Sequence, residues 1–330
     1  MSRTLPLLLA MLTPVGCGTA SEPSGAAGAG TGGHGAAAGA AGGESGAHEG
    51  LGGAASAGAA SMSAGQAGTA QGGTAAGSGS GGSAGAGGAG GAGEPLTLRV
   101  LTFNIKTGSL SSLQTIAEII EASEADVVGL QEVDKGTNRS AGVDQPMLLG
   151  QLTDMQPFFA PGLHDYDGGQ YGVAALVSHD LRVLTATPHD LDQPAAGEAR
   201  AALELQLARI QKSADVPDFS FINTHWDLVS ENRVAQAEHV NRIAMAAEQL
   251  APMLLVGDLN ARSGSEPIAV LLELWTPAAE PDVFGIDWIF HRGQSWEVSE
   301  VRELTDADHP QATTASDHVP VIATYTLSAN

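Results

Sequence analysis

From Leu96 onward, short apolar runs alternate with amphipathic stretches, and most of the apolar runs stop at a polar cluster. Leu98-Arg99-Val100-Leu101-Thr102-Phe103 reads as a buried strand ending at Asn104. The spacing of Leu113, Ile116, Ala117 and Ile120 then predicts a helix, and Asp126 to Leu130 predicts a second strand ending at Gln131-Glu132. Further strands are expected at Gly172 to Ser178, Ala201 to Leu207, Phe219 to Asn223, Met253 to Val256, Trp288 to Phe290 and Val319 to Tyr325. Val234, Ala237, Val240, Ala244 and Ala247 recur near helical spacing and predict a long helix from about Ser230 to Leu250. Many strands with few helices fit a layered α/β protein.

The residues before Leu96 follow another logic. Of the 44 glycines, 30 fall in the first 94 residues, a stretch with no Phe, Trp or Tyr. Such a segment cannot bury enough apolar surface to offset its ordering entropy, so residues 18–94 are expected to form a disordered tether. As a coil of that length its ends would lie about 50 Å apart. His34 and His48 within it have no accompanying ligand cluster and are expected to be solvated. Residues 95–330 form the expected globular domain, long enough for one core.

Cys17 is the only cysteine, so no intramolecular disulfide can form. It follows Met1-Ser2-Arg3, the apolar stretch Leu5 to Leu12, and Val15-Gly16. This resembles a bacterial lipoprotein signal peptide spanning residues 1–17, which implies export and a lipid anchor at Cys17. Pro6 and Pro14 depart from the usual pattern, and an ordinary secretory signal is the alternative. No later run reaches the ~20 apolar residues needed to span a bilayer.

The formal charge is −23, nearly all of it in the domain. That balance disfavours tight nucleic-acid binding, which needs clustered Lys and Arg. It does not exclude hydrolysis of nucleic acid, because a bound divalent cation inverts the local field. Aromatic content of 4 % offers no evident base-stacking platform.

The polar clusters carry the chemistry. Glu132 at a strand end is a natural oxygen ligand for Mg²⁺, though a surface glutamate would look the same. In Gly257-Asp258-Leu259-Asn260, two polar side chains sit two apart after a buried strand, so both point to one side. Asp258 can then deprotonate a water while Asn260 orients a phosphate; an Asx turn is the competing reading. Ser316-Asp317-His318 sets a carboxylate beside an imidazole, and Asp287 is the candidate partner that orients His318. His225, after Phe221-Ile222-Asn223-Thr224, supplies a second imidazole.

Taken in order, Leu101-Thr102-Phe103-Asn104, Leu130-Gln131-Glu132-Val133-Asp134, Asn223-Thr224-His225, Gly257-Asp258-Leu259-Asn260-Ala261, Ile286-Asp287-Trp288 and Ser316-Asp317-His318-Val319-Pro320 resemble the endonuclease/exonuclease/phosphatase superfamily. The resemblance covers about Leu98 to Tyr325. It implies a four-layer α/β sandwich, two packed β-sheets flanked by helices, with the site at one mouth. It also implies a metal-dependent phosphoesterase: Asn104, Glu132 and Asp317 around Mg²⁺ or Mn²⁺, Asp258 activating the water, Asn260 and His225 on the phosphate, and His318, oriented by Asp287, on the phosphoryl oxygens. Thr137-Asn138-Arg139-Ser140, Gly169-Gln170-Tyr171-Gly172, Glu198-Ala199-Arg200 and Arg233-Val234-Ala235-Gln236-Ala237 resemble a bacterial subgroup of these hydrolases. Arg139, Tyr171 and Arg200 are candidate substrate contacts, with a structural ion pair the alternative for either arginine. Val173 and Gly285 stand where the family often has Asn and Arg.

The expectation is an exported, membrane-tethered, monomeric phosphodiesterase or phosphomonoesterase acting on a lipid, sugar or nucleotide phosphoester. An extracellular nuclease and a non-catalytic surface binding protein on the same scaffold are the alternatives.

Overall fold

The structure is a computed structural model that describes residues 95–210, 216–247, 251–280 and 283–328. Cys17, the expected signal peptide and the expected tether with His34 and His48 lie outside the described residues.

Along the chain the strands are β1 (Leu96–Asn104), β2 (Val127–Lys135), β3 (Gln156–Tyr166), β4 (Gly169–Val177), β5 (Leu181–Asp190), β6 (Ala201–Arg209), β7 (Phe219–His225), β8 (Met253–Asp258), β9 (Thr276–Pro277), β10 (Asp287–Arg292), β11 (Trp296–Glu303) and β12 (Val321–Leu327). The α-helices are α1 (Leu113–Ser123), α2 (Gln145–Leu152), α3 (Ser230–Ala246) and α4 (Glu266–Leu271). The strands form two six-stranded sheets, in the orders β11-β12-β1-β2-β4-β3 and β5-β6-β7-β8-β10-β9. Each has one parallel pair near its centre, β1 with β2 and β7 with β8.

The two-residue period of a strand decides what each face buries. In β1, Leu98 and Val100 join the core between the sheets, while Leu101 and Phe103 pack outward with Ile116, Ile119 and Ile120 of α1. In β8, Leu254 and Val256 face inward, and Met253 and Leu255 face α3 through Val240 and Ile243. The result is the expected four-layer sandwich of helix, sheet, sheet and helix. The sheets approach closely at Gly129, where a Cβ would lie 2.4 Å from Val256 Cγ2, so a side chain there would force them apart. Ser112 caps α1 by accepting from the Thr115 N–H, and Asp144 caps α2 through Met147.

Several elements differ from expectation. β2 continues through Glu132 to Lys135, β12 begins at Val321, and α3 ends at Ala246 because Ala247 is already extended. Residues 248–250 lie outside the described segments. Four strands without a sequence expectation, β3, β5, β9 and β11, are the outermost strands of the two sheets. An edge strand need not bury both faces; most of β5 from Thr185 to Pro188 is exposed, and β3 carries Pro157 and Pro161.

Candidate active site

The same period that packs the core delivers the polar residues. Continuing the inward-facing series of each strand places Asn104 after Leu98 and Val100, His225 after Phe219 and Phe221, and Asp258 after Leu254 and Val256. Asp287 opens β10 opposite Asp258 and shares its face with Ile289. The parallel pairs bring the carboxyl ends of β1, β2, β7 and β8 to one mouth. Beneath it, Gln131 donates to Asn223 Oδ1 (2.6 Å) and Thr102 Oγ1, and Asn223 donates to Leu130 O and Ala174 O. These buried amides tie the two sheets together without leaving the inter-sheet gap apolar at this depth.

Glu132 breaks the alternation. Leu130 and Val133 both pack on the helix side, so one extra residue lies between them, and Glu132 has φ 53° at this bulge. The bulge turns the carboxylate to the mouth, where strict alternation would have directed it toward α1. Gly257, at φ 152°, has no room for a Cβ: Thr224 O would be 2.0 Å away. Asn260 is left-handed, at φ 47°, a conformation Asn tolerates better than most residues.

Asp258 Oδ2 is the focus of the site. Asn104 Nδ2 donates to it at 3.0 Å, and the Nε2 atoms of His225 and His318 stand 3.5 and 3.6 Å away. Its other oxygen accepts from the Asn260 N–H at 2.9 Å. Asn104 Nδ2 also donates to Glu132 Oε1 at 3.0 Å. His318 Nδ1 lies 2.8 Å from Asp287 Oδ2, and Ser316 Oγ donates to Asn104 O, which fastens the loop before β12 to the end of β1. Asn260 Nδ2 donates to Trp226 O at 2.8 Å and lies 3.2 Å from His225 Nε2.

The electrostatics separate the two imidazoles. Burial works against charge on His318, but its bond to Asp287 and the charges of Asp287, Asp258 and Asp317 outweigh burial and raise its pKa to about 9. His225 is shifted well below its usual value by burial, then by the charges of Arg200 and His318, so it is neutral. Burial, reinforced by the neighbouring Asp287, raises the carboxyl of Asp258. The site thus holds a charged imidazole, a neutral imidazole and a carboxylate of raised basicity within one cluster.

Oxygen donors suited to a divalent cation gather on one side. Glu132 and Asp317 face Lys106, whose ammonium pairs with Asp317 and lies in the field of Glu132; a positive charge already stands among these oxygens. Asn104 Oδ1 accepts from the Lys106 N–H at 3.0 Å. The donor chemistry therefore fits Mg²⁺ or Mn²⁺. A second convergence, Asp258, Asp287 and His318, has donor atoms within 4.8 Å of one another. There His318 is bonded to Asp287 through Nδ1, so the carboxylate fixes the ring and turns Nε2 to the site. Lys106 had no place in the sequence reading. The available signal was a lysine two residues after Asn104 in a chain with only 14 basic residues.

The three candidate substrate contacts sit differently. Arg139 makes a two-pronged pair with the fully buried Asp134, at 2.7 and 2.8 Å, and lies over the rings of Tyr166 and Tyr171. Its guanidinium is thus committed to the fold, the alternative the sequence left open. Arg200 Nη1 reaches His225 Nδ1 at 2.9 Å and Glu198 at 3.0 Å, bringing it into the cluster from behind. Tyr171 is buried beside Arg200, and burial pushes its phenol up. Val173 fills the core between the sheets, and Gly285 takes a left-handed φ of 68° that favours glycine.

Residues 101–318 match the model of the Endonuclease/Exonuclease/phosphatase family. A search of curated proteins finds no match. Among solved structures, the fold is similar to an endonuclease/exonuclease/phosphatase from Bacteroides vulgatus, at TM-score 0.58 and 20% identity over 71% of this chain and 100% of that one. It is also similar to a mannosyl-6-phosphatase from Bacteroides thetaiotaomicron, at TM-score 0.56 and 15% identity over 69% and 99%. A third likeness is to the catalytic domain of human Nocturnin with a bound sulfate anion, at TM-score 0.54 and 19% identity over 70% and 95%. At these identities the structural likenesses establish the fold alone. The chain belongs to the Endonuclease/Exonuclease/phosphatase family.

Proposed function

We propose that this family member hydrolyses phosphoesters by direct attack of water, with a divalent cation held by Glu132 and Asp317 beside Asn104. The observation that carries this reading is the convergence of Asn104, His225 and His318 on one oxygen of Asp258. A bound Mg²⁺ or Mn²⁺ would polarise the phosphoryl group and offset its charge.

The protein's own residues supply the rest. Asp258, with its raised basicity, takes the proton of the attacking water. His318, kept protonated by Asp287, donates from Nε2 to the phosphoryl oxygens as charge develops on them. His225, neutral and backed by Arg200, offers a hydrogen bond without adding charge. Asn260, whose Nδ2 donates to Trp226 O and lies 3.2 Å from His225 Nε2, has its carbonyl oxygen to accept a hydrogen bond from the attacking water. The leaving oxygen departs on the side away from the water, as an in-line displacement requires.

Sugar or lipid phosphoesters suit this surface better than nucleic acid. Arg99, Arg139, Arg242 and Arg302 are each paired with an acidic side chain, which removes them from phosphate-backbone recognition. Placement at a membrane surface through Cys17 rests on the sequence pattern alone; no helix among the described residues is long and apolar enough to cross a membrane.

The test is hydrolysis of an aryl phosphodiester and the matching monoester by purified protein, with Mg²⁺, Mn²⁺ or EDTA. Cleavage that EDTA abolishes is expected, and the preferred ester separates diesterase from monoesterase. Cleavage that persists undiminished in EDTA would overturn the metal-assisted reading.

A further inference from the structure

Lys106 contacts two of the three residues that the proposed function assigns to the cation, Asn104 and Asp317, and it does so through different atoms. Its backbone N–H donates to Asn104 Oδ1, its ammonium pairs with Asp317, and that ammonium lies within the field of Glu132. The backbone around it is unusual: Lys106 and Thr107 have φ 46° and 56°, followed by Gly108 at 68°. Side-chain-bearing residues seldom adopt this left-handed conformation, and two in succession are rarer still. A turn held in this form returns the chain toward the site it has just left, which carries Lys106 back over Asn104.

We propose that Lys106 is an internal counter-cation that competes with the divalent ion for the carboxylates of Asp317 and Glu132. The inference rests on the assignment of those carboxylates under the proposed function. Two carboxylates and an amide oxygen at one mouth repel one another unless a positive charge stands among them, and the ammonium supplies that charge from within the chain. A divalent ion that takes Asp317 Oδ2, the oxygen paired with the ammonium, must displace it, since two cations on one oxygen repel. Displacement is sterically open because the Lys106 side chain is 40% exposed and its four-carbon stem can swing into solvent. Lys106 therefore lowers the apparent affinity for the metal while stabilising the site before the metal binds. Because the pair is partly exposed, the effect is modest, roughly two- to fivefold in affinity.

The experiment compares full-length wild type with Lys106→Met and Lys106→Arg, using Mn²⁺ alone as the probe. Titration calorimetry reads affinity, and melting in EDTA and in saturating Mn²⁺ reads the linked stability. Lys106→Met should bind Mn²⁺ tighter by the factor given, melt lower than wild type in EDTA, and show the larger Mn²⁺-induced rise. Lys106→Arg, which keeps the charge, should stay near wild type in affinity. Circular dichroism checks the fold, and Lys106→Gln replaces Lys106→Met if that variant misfolds. Equal or weaker Mn²⁺ binding by the neutral variant would overturn the competition. If wild type binds Mn²⁺ and shows EDTA-sensitive hydrolysis, that outcome leaves the proposed function standing; if wild type binds no Mn²⁺, both fall together.

Discussion

Nδ1 of His318 lies 2.8 Å from Oδ2 of Asp287, and the two residues come from different sheets. His318 leads into β12 of one sheet, whereas Asp287 opens β10 of the other. The contact forms only when the sheets have packed, so charging of His318 is tied to the assembled sandwich. The folded-state pKa of about 9 lies above the ordinary 6.5. The stabilisation is therefore full below pH 6.5 and is lost as pH rises through about 9.

Activity that needs the His318 imidazolium should hold to near pH 9 and then decline. Asp287→Asn removes the charge partner while keeping shape, so the alkaline limb should move to lower pH. The pH–rate profile of the two proteins checks this, and an unmoved limb would remove His318 as the group responsible.

Asp258→Asn should lower kcat on the order of 10²–10⁴-fold with little change in the fold, since the amide is isosteric and only the base is lost. Steady-state kinetics with circular dichroism on the same sample test it. Near-normal turnover in a well-folded variant would show that another group takes the proton.

Glu132→Gln should raise the metal concentration needed for half-maximal activity by roughly tenfold or more, because a charged oxygen ligand becomes a neutral one. The bulge that aims residue 132 tolerates the change, as size and backbone are retained. Metal titration of the rate is the measurement, and an unchanged midpoint would place the ion elsewhere, with Asp258, Asp287 and His318 the next candidates.

Arg139→Ala should cost stability and spare catalysis. Asp134 is fully buried and would keep only the hydroxyls of Thr137 and Ser140. The loss should be on the order of 1–3 kcal/mol, toward the lower end because the arginine is partly exposed. Melting would fall by several degrees, with kcat/KM within a fewfold of wild type. A drop in kcat/KM at unchanged melting temperature would instead make Arg139 a substrate contact.

What could be read along the chain was local. β1, β7, β8 and β10 announced themselves because strands buried on both faces require continuous apolar runs, and Asn104, His225, Asp258 and Asp287 lie at their ends. The outermost strands stayed hidden because one face meets solvent and their composition reads as loop. β3, with two prolines, and β5, with an exposed run from Thr185 to Pro188, illustrate the point.

By itself the sequence determined the two-residue period that puts Asn104, His225 and Asp258 on inward faces, together with the stock of carboxylates, amides and imidazoles at those strand ends. Only the tertiary structure decided which of them meet. The bulge at Glu132 depends on the register of β2 against β4, the His318–Asp287 bond on the packing of two sheets, and the seat of Lys106 on Asp317, 211 residues away in the chain. The commitment of Arg139 to Asp134 was likewise decided by the fold, because an arginine and an aspartate five residues apart can as easily face solvent. Periodicity is a property of neighbouring residues and survives in a string of letters. Register, sheet packing and ion pairing are settled by competition among contacts distant in the chain, which the string does not contain.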